Sequence, residues 1–395
     1  MKYDVVIIGA GPAGVAAAHN LINNNISCVL IDKQKFPRNK LCAGGITSKS
    51  FELMKILKLD EFDIENAVIS EGASLYLEYE HIADIKSNRL TYLVNRFDFD
   101  DYLVKQYKQK CGKLLEGRKV VNIDMEHNMI ILDGGEVIKF KYIIGADGAV
   151  GITKGLVEEN VKANGFCLQI EVNRDEFNYD SNNMSLYYGI IPQGYGWIFP
   201  KKETLTIGFG GNYDKNLNYH KEFEKFLSKL GINFDKKEFR GAMLPFGDYV
   251  KNPIDKSKNL LLVGDAAGLV DPITGEGIYF AMLSGIKASN VIIKALKENN
   301  KNEVDKYIEE ISLITKNISK GAKLKKLVYK YRKPIFNAMK NKKIGNFLFN
   351  ECLYESNYDL LELFFHKNKN EWVFNTYIKP WLNLSKNVKY KDMIL

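Results

Sequence analysis

The segment Gly9-x-Gly11-x-x-Gly14 constrains this chain more than any other feature. It stands directly between the apolar run Val5-Val6-Ile7-Ile8 and Ala-rich, helix-forming residues through Leu21. Consecutive apolar residues without alternation fit a strand of a parallel sheet buried on both faces. Glycines at this spacing permit a tight turn at Gly9, close approach of a ligand to the backbone at Gly11, and close packing of helix on strand at Gly14. With Pro12 and Ala13 they form a turn whose helix N-terminus offers N–H donors to phosphates. A second apolar run, Cys28-Val29-Leu30-Ile31, closes on Asp32 and Lys33. The acid is placed to accept the hydroxyls of an adenosine ribose. Strand, turn, helix and second strand read as a dinucleotide-binding unit.

Distant segments narrow the dinucleotide to FAD. Gly264-Asp265 follows the buried run Leu260-Leu261-Leu262-Val263, so its carboxylate can accept a ribityl hydroxyl. Further on, Pro272-x-x-Gly275-Glu276-Gly277-Ile278 offers backbone N–H groups at a helix start. Such groups stabilise negative charge at the N1–C2=O edge of a reduced flavin. Asp147-Gly148 follows the buried run Tyr142-Ile143-Ile144 and joins the set. Arg96 opens the helix-forming cluster Arg96-x-Asp98-Phe99-Asp100, from which it reaches the cofactor's phosphates or ribityl chain. Taken alone it reads more readily as a surface arginine; in this order along the chain it reads as a ligand.

In this order along the chain the motifs resemble the FAD-dependent oxidoreductases with the p-hydroxybenzoate hydroxylase type of fold. Lys40-x-Cys42-Ala43-Gly44-Gly45-Ile46 resembles the Cys-Gly-Gly loop of the geranylgeranyl reductase family, with Ala43 standing where many relatives carry glycine. Tyr195-x-Trp197-x-Phe199-Pro200-Lys201, followed by Gly208-Phe209-Gly210-Gly211, is similar to that family's aromatic-Pro-Lys strand. The resemblance covers residues 1–295. It implies that Cys42, Ala43 and Gly44 lie beside the flavin, and that hydride passes from reduced flavin N5 to a carbon–carbon double bond of a prenyl chain. The implied substrate is a prenyl lipid or prenyl diphosphate. Its tail has nothing to hydrogen-bond, so its pocket must be long and apolar. Tyr187, Tyr188, Tyr195, Trp197 and Phe199 are candidates for the pocket wall, with ordinary sheet core as the alternative for each. Tyr195 and Trp197 are two apart and share a face. Cys42 is the candidate catalytic residue, a proton donor to the developing carbanion; the alternative is a packing cysteine.

The fold expected is α/β. A Rossmann-type FAD-binding domain (residues 1–70, 90–165 and 250–295) is interleaved with an antiparallel-sheet substrate domain (71–89 and 166–249). A C-terminal helical region (296–395) follows, with a break at Lys333-Pro334. The sheet assignment rests on the alternating aromatic and apolar residues from Phe166 to Gly211, and Val120–Leu132 reads as paired short strands.

Charge concentrates in one place. Of the 56 Lys and Arg residues, ten lie between Lys320 and Lys343, where there is no Asp or Glu. Leu324, Leu327, Val328 and Tyr331 follow helical spacing there, with Lys323, Lys325, Lys326, Lys330 and Arg332 around them. Three uses fit: contact with an anionic membrane surface, docking of an acidic ferredoxin, or a helix whose apolar side packs on the core while its lysines are solvated. No second glycine fingerprint marks an NAD(P)H domain, so the electron donor is a transiently docked NAD(P)H or a ferredoxin. The five cysteines form no CxxC pair, which argues against iron–sulfur, zinc and disulfide modules. The histidines have no ligand spacing, so no metal is expected, and no recognised module points to nucleic acid. No run approaches the roughly 20 apolar residues that span a bilayer, and no signal peptide is read. The expected location is the cytoplasm, with peripheral membrane contact as an addition. Competing readings are a flavin monooxygenase or halogenase on the same fold, echoed by Tyr195–Pro200, and an electron-transfer flavoprotein that reduces a quinone.

Overall fold

The computed structural model describes residues 1–60, 67–158, 163–177, 179–359 and 361. Residues 360 and 362–395 of the expected helical region, His366 among them, lie outside the described residues. The chain begins with β1 (Val5–Ile8), α1 (Pro12–Asn23), β2 (Cys28–Asp32), β3 (Gly45–Thr47) and α2 (Ser48–Ile56). A long hairpin of β4 (Val68–Leu77) and β5 (Glu80–Leu93) leads to α3 (Arg96–Gln109) and β6 (Lys113–Glu116). Then come β7 (Val120–Asp124), β8 (Met129–Leu132), β9 (Val137–Lys139) and β10 (Tyr142–Gly145). The middle of the chain holds β11 (Gly165–Asn173), β12 (Met184–Tyr188), β13 (Gly194–Pro200), β14 (Thr204–Asn212), α4 (Tyr219–Lys229) and β15 (Arg240–Leu244). After β16 (Leu260–Leu262) come α5 (Ile278–Lys297), α6 (Lys306–Glu310), α7 (Ser312–Lys330), α8 (Arg332–Met339), α9 (Lys342–Phe347) and a π-helical turn at Leu348–Tyr354.

The apolar runs read from the sequence pair as one parallel five-stranded sheet in the order β16-β10-β1-β2-β6. All four residues of β1 are buried, as a central parallel strand requires. Helices α1 and α5 pack on this sheet and on each other. A side-chain carbon at Gly285 of α5 would lie 2.2 Å from the carbonyl oxygen of Ala13, so backbone touches backbone. Asn20 of α1 adds donor contacts to Ser289 Oγ (2.8 Å) and Asn290 Oδ1 (2.7 Å). Strand order turns around β1, which puts the crevice for a nucleotide beyond its carboxyl end. Val120–Leu132 forms paired strands, and β9 extends them to a three-stranded antiparallel sheet.

The second large sheet has eight strands in the order β15-β11-β14-β13-β12-β4-β5-β3. It is antiparallel except for the β12–β4 pair. Alternation sorts its side chains onto two faces. Leu168, Ile170, Tyr187, Ile198, Ile207 and Phe209 pack under α4 with Phe223 and Phe226. Leu186, Tyr188 and Trp197 point the other way, into a cluster with Leu324, Phe336, Met339 and Leu348 from the C-terminal helices. The break expected at Lys333-Pro334 falls instead at Tyr331, between α7 and α8. Pro334 then sits in the first turn of α8, where its missing N–H would have had no partner.

Candidate active site

Each glycine of the phosphate turn carries its expected load. Gly9 has φ +104°, and a side-chain carbon there would lie 2.3 Å from the Ala146 carbonyl oxygen. At Gly14 the same carbon would lie 1.9 Å from Gly9 O. At Gly11 the nearest atom would be Arg38 Nη2, 3.9 Å away, so the ground above the helix start is open. Helix α1 begins there without a side-chain cap, and Pro12 and Ala13 are buried in its first turn, leaving first-turn N–H groups for an anion. Asp32 is buried and accepts from the N–H groups of Ala10 and Gln34, both at 2.9 Å. Part of its capacity therefore fixes the turn, and Lys33 beyond it is exposed.

Arg38 escaped the sequence reading. Its side chain is 8% exposed and lies 3.7 Å from Asp32, 3.2 Å from Asp100 and 4.7 Å from the Phe36 ring. Its Nη1 is ion-paired with Asp100 without a well-aligned hydrogen bond, and its Nε has no acceptor. A buried guanidinium with unmet donors beside the open ground over Gly11 fits a phosphate oxygen. Nothing in Phe36-Pro37-Arg38 marks this beforehand, because the partners come from three separate elements. Arg96 is equally buried, but its fork is engaged by Asp100 four residues on, at 2.7 and 2.8 Å. Burial opposes its charge, and Asp100 together with Cys42 outweighs that, so its pKa is raised. Asp100 thus stands between two arginines.

The second group of motifs meets around the start of α5. A side-chain carbon at Gly264 would touch both Ala13 of α1 and Ala281 of α5, at 3.1 Å each. Asp265 Oδ1 lies 3.8 Å from where such a carbon on Gly277 would be. Gly277 is the N-cap of α5 and Ile278 its first residue, with no side-chain cap. The preceding loop is closed by its own bonds: Asp271 N–H to Glu276 O (2.9 Å) and Gly275 N–H to Asp271 O (3.0 Å). Glu276 N–H meets Thr274 Oγ1 at 3.2 Å. The N–H groups of Gly275 and Glu276 are therefore spent inside the loop, and the uncapped start of α5 supplies the outward donors.

Asp147 is engaged within the protein. Its carboxylate turns inward and accepts from the Thr153 hydroxyl (2.5 Å) and the Thr153 N–H (3.0 Å). Burial raises its pKa against those bonds. The Asp147-Gly148 backbone lies against Gly9, with Asp147 Cα 3.1 Å from where a Gly9 side-chain carbon would be. The pair braces the phosphate turn through its backbone. Nearby Lys154 was also missed: it is buried, its Nζ lacks an acceptor, and burial lowers its pKa despite the charges of Asp248, Glu158 and Asp265.

The Cys42 loop joins the two sheets. Cys42 Sγ accepts from Gly44 N–H at 3.4 Å. Gly44 has φ +76° and packs where a side-chain carbon would overlap Val94 O at 1.9 Å. Lys201 Nζ donates to Ala43 O at 2.6 Å from a side chain only 2% exposed. Burial pulls the Lys201 ammonium down to about 8, with Glu171 and Cys42 opposing. The buried Arg96 and Lys201 cations both lie within electrostatic reach of Cys42.

Tyr195, Trp197 and Phe199 share one face of β13, and Tyr188 lies across from Tyr195 with ring centroids 5.5 Å apart. The Trp197 indole covers the glycines of β14, where a side-chain carbon at Gly208 would meet it at 2.5 Å. Tyr195 donates its hydroxyl to Thr274 O, tying this wall to the loop before α5. Tyr187 does not line the wall. It stands on the opposite face, stacked on Tyr76 at 4.4 Å and edge-on to Phe226, because adjacent strand residues alternate. Lys325 departs from the solvated-lysine expectation too. It is 3% exposed, donates to Asn212 Oδ1 at 2.6 Å and sits 3.4 Å over the Phe246 ring.

Comparison with known proteins agrees with this geometry. The FAD binding domain family matches residues 2–322. An uncharacterized protein of Methanosarcina barkeri is 37% identical over 303 residues, covering 75% of this chain and 76% of that one. The digeranylgeranylglycerophospholipid reductase of Methanocaldococcus jannaschii is 33% identical over 319 residues, covering 76% and 79% of the two chains. Among solved structures, a geranylgeranyl bacteriochlorophyll reductase-like protein of Thermoplasma acidophilum shares the fold. Its TM-score is 0.71 at 23% identity, over 92% of this chain and 99% of that one. The open turn above Gly11, the unmet Arg38 donors and the uncapped α5 start all fit FAD. The chain belongs to the geranylgeranyl reductase family of FAD-dependent oxidoreductases.

Proposed function

We propose that this enzyme saturates carbon–carbon double bonds of a geranylgeranyl-type prenyl chain, carried on a lipid or a diphosphate. The observation that carries this reading is the Tyr195–Thr274 hydrogen bond, which sets an aromatic wall edge-to-loop against the proposed flavin site. The relative from M. jannaschii, a digeranylgeranylglycerophospholipid reductase by name, supports the substrate class. FAD, when bound, supplies the two-electron hydride chemistry. The chain's own residues do the rest. Gly9, Gly11, Gly14 and Arg38 take the phosphates, Asp32 the adenosine ribose and Asp265 the ribityl chain. The start of α5 takes the N1–C2=O edge. Tyr188, Tyr195, Trp197 and Phe199 exclude water and orient one double bond, which is most of what a protein contributes to such a transfer. Cys42 Sγ holds the proton for the second carbon, and Lys201 fixes the Cys42 loop through Ala43 O.

Electrons come from outside the chain, through docked NAD(P)H or a ferredoxin; reduction kinetics with each donor separate the two. Among the described residues no helix is long and apolar enough to cross a membrane. Because Leu324 and Lys325 are buried, membrane contact by residues 320–343 rests on the exposed lysines and should vanish from anionic vesicles at high salt.

The decisive experiment is anaerobic. The protein is reduced with dithionite, a geranylgeranylated lipid is added, and the flavin absorbance is followed. Reoxidation with a product about two mass units heavier per double bond supports the reading. A flavin that stays reduced until oxygen enters, and then oxygenates or halogenates a substrate, overturns it.

A further inference from the structure

We infer that Tyr358, in the C-terminal region, is a positioning residue for the flavin, acting through Asp271. The Asp271 side chain has no solvent exposure, yet it is a carboxylate at the head of the 271–277 loop. Its Oδ1 accepts from the N–H groups of Ile273 (2.9 Å) and Thr274 (2.8 Å). The Tyr358 hydroxyl donates to this carboxylate, 2.6 Å from each of its oxygens. Tyr358 is itself fully buried, held in a slot that α7 forms. A side-chain carbon at Gly321 would lie 2.7 Å from Tyr358 Cε2 and 2.9 Å from Pro272 Cγ.

The same loop carries a second carboxylate, Glu276, whose partners also come from outside the loop. Glu276 accepts from Lys49 Nζ and the Thr47 hydroxyl, both at 2.7 Å, and Lys49 is braced by the Tyr354 carbonyl at 2.8 Å. Two acidic groups thus stand beside the start of α5, where negative charge develops on a reduced flavin. Each is compensated by a contact that includes residues 354–358. A buried carboxylate there that loses one of its partners would oppose the reduced anion and loosen the loop. The match to the FAD binding domain family ends at residue 322, so Tyr358 acts on the site from beyond the shared module.

This inference rests on the assignment of the 271–277 loop to the flavin, and the test separates the two. Apoprotein is titrated with FAD by flavin fluorescence, and the midpoint potential is measured for wild type, Tyr358→Phe, Asp271→Asn and the double variant. The expected result for Tyr358→Phe is a roughly tenfold weaker FAD affinity, from loss of a hydrogen bond to a charged group, and a more negative potential. In the Asp271→Asn background the same substitution should change neither. If Asp271→Asn shifts the flavin and Tyr358→Phe does not, the role of Tyr358 is overturned and the loop assignment stands. If neither shifts it, both fall. Equal effects of Tyr358→Phe in the two backgrounds would mean that it acts through general stability, which also overturns the inference. Should Tyr358→Phe not fold, Gly321→Ala, which crowds the same ring, is measured against the same outcomes.

Discussion

The two faces of the eight-stranded sheet are built from the same strands and are unlike in kind. Under α4 the packing is apolar and edge-to-face, with Phe209 and Phe223 at 5.1 Å and Phe223 and Phe239 at 4.8 Å. On the face toward the C-terminal helices, Trp197 Nε1, Gln169 Oε1 and Tyr329 Oη are buried without hydrogen-bond partners. Buried Lys201 and Lys325 lie on that side as well. A face that only holds the domain together can be filled with hydrocarbon and leave nothing unmet. A face that handles a substrate keeps polar atoms in reserve at a cost in stability. The difference supports the proposed working side of the sheet without reference to any relative.

Four substitutions or conditions sharpen or break this contrast. Phe223→Ala on the α4 face should destabilise by about 3–5 kcal/mol, the cost of a large core cavity, while the surviving folded protein keeps FAD in full ratio. Denaturant unfolding and flavin absorbance check it together; loss of FAD at unchanged stability would dissolve the distinction. Cys42→Ala on the working side should do the reverse, keeping stability and FAD while lowering turnover about a hundredfold, as for a lost general acid. Unchanged turnover would return Cys42 to a packing role.

Lys201 gives a pH signature. Its folded pKa of about 8 lies below the ordinary 10.5, so between those values the unfolded chain binds more protons. Its contribution to stability therefore rises with pH across that window, by at most about 1.4 kcal/mol per pH unit. The stability difference between wild type and Lys201→Met should move in favour of wild type from pH 8 to 10, and a flat difference would contradict the buried ammonium. The smallest effect belongs to Trp197→Phe. It deletes a donor that has no partner, so stability should hold or rise by about 1 kcal/mol, while prenyl turnover falls. Equal loss of stability and turnover would make Trp197 ordinary core.

What the sequence made legible was whatever local geometry enforces. Unbroken apolar runs announce β1, β2, β10 and β16, and the glycine turn announces its own function, because each is specified within a few residues. Sites formed by encounter were silent. Arg38 gains meaning only where β2, α3 and the phosphate turn converge, and Lys201 only where a strand end meets the Cys42 loop. Tyr358 finds Asp271 across 87 residues of chain. Parity misled in one case: Tyr187 and Tyr188 look alike in sequence, and strand register alone sends them to opposite faces. Asp147 shows the limit of a motif, since its position followed the pattern while its carboxylate turned to Thr153.

The contact between α1 and α5 has a kinetic consequence. One helix starts at the phosphate turn and the other at the loop assigned to the flavin, and at Ala13 and Gly285 their backbones are interlocked. Opening at either end of the proposed nucleotide site should disturb that interlock and carry the other end with it. Departure of the nucleotide should therefore be a single concerted event, with a rate that follows opening of the whole domain and no half-released state along the way.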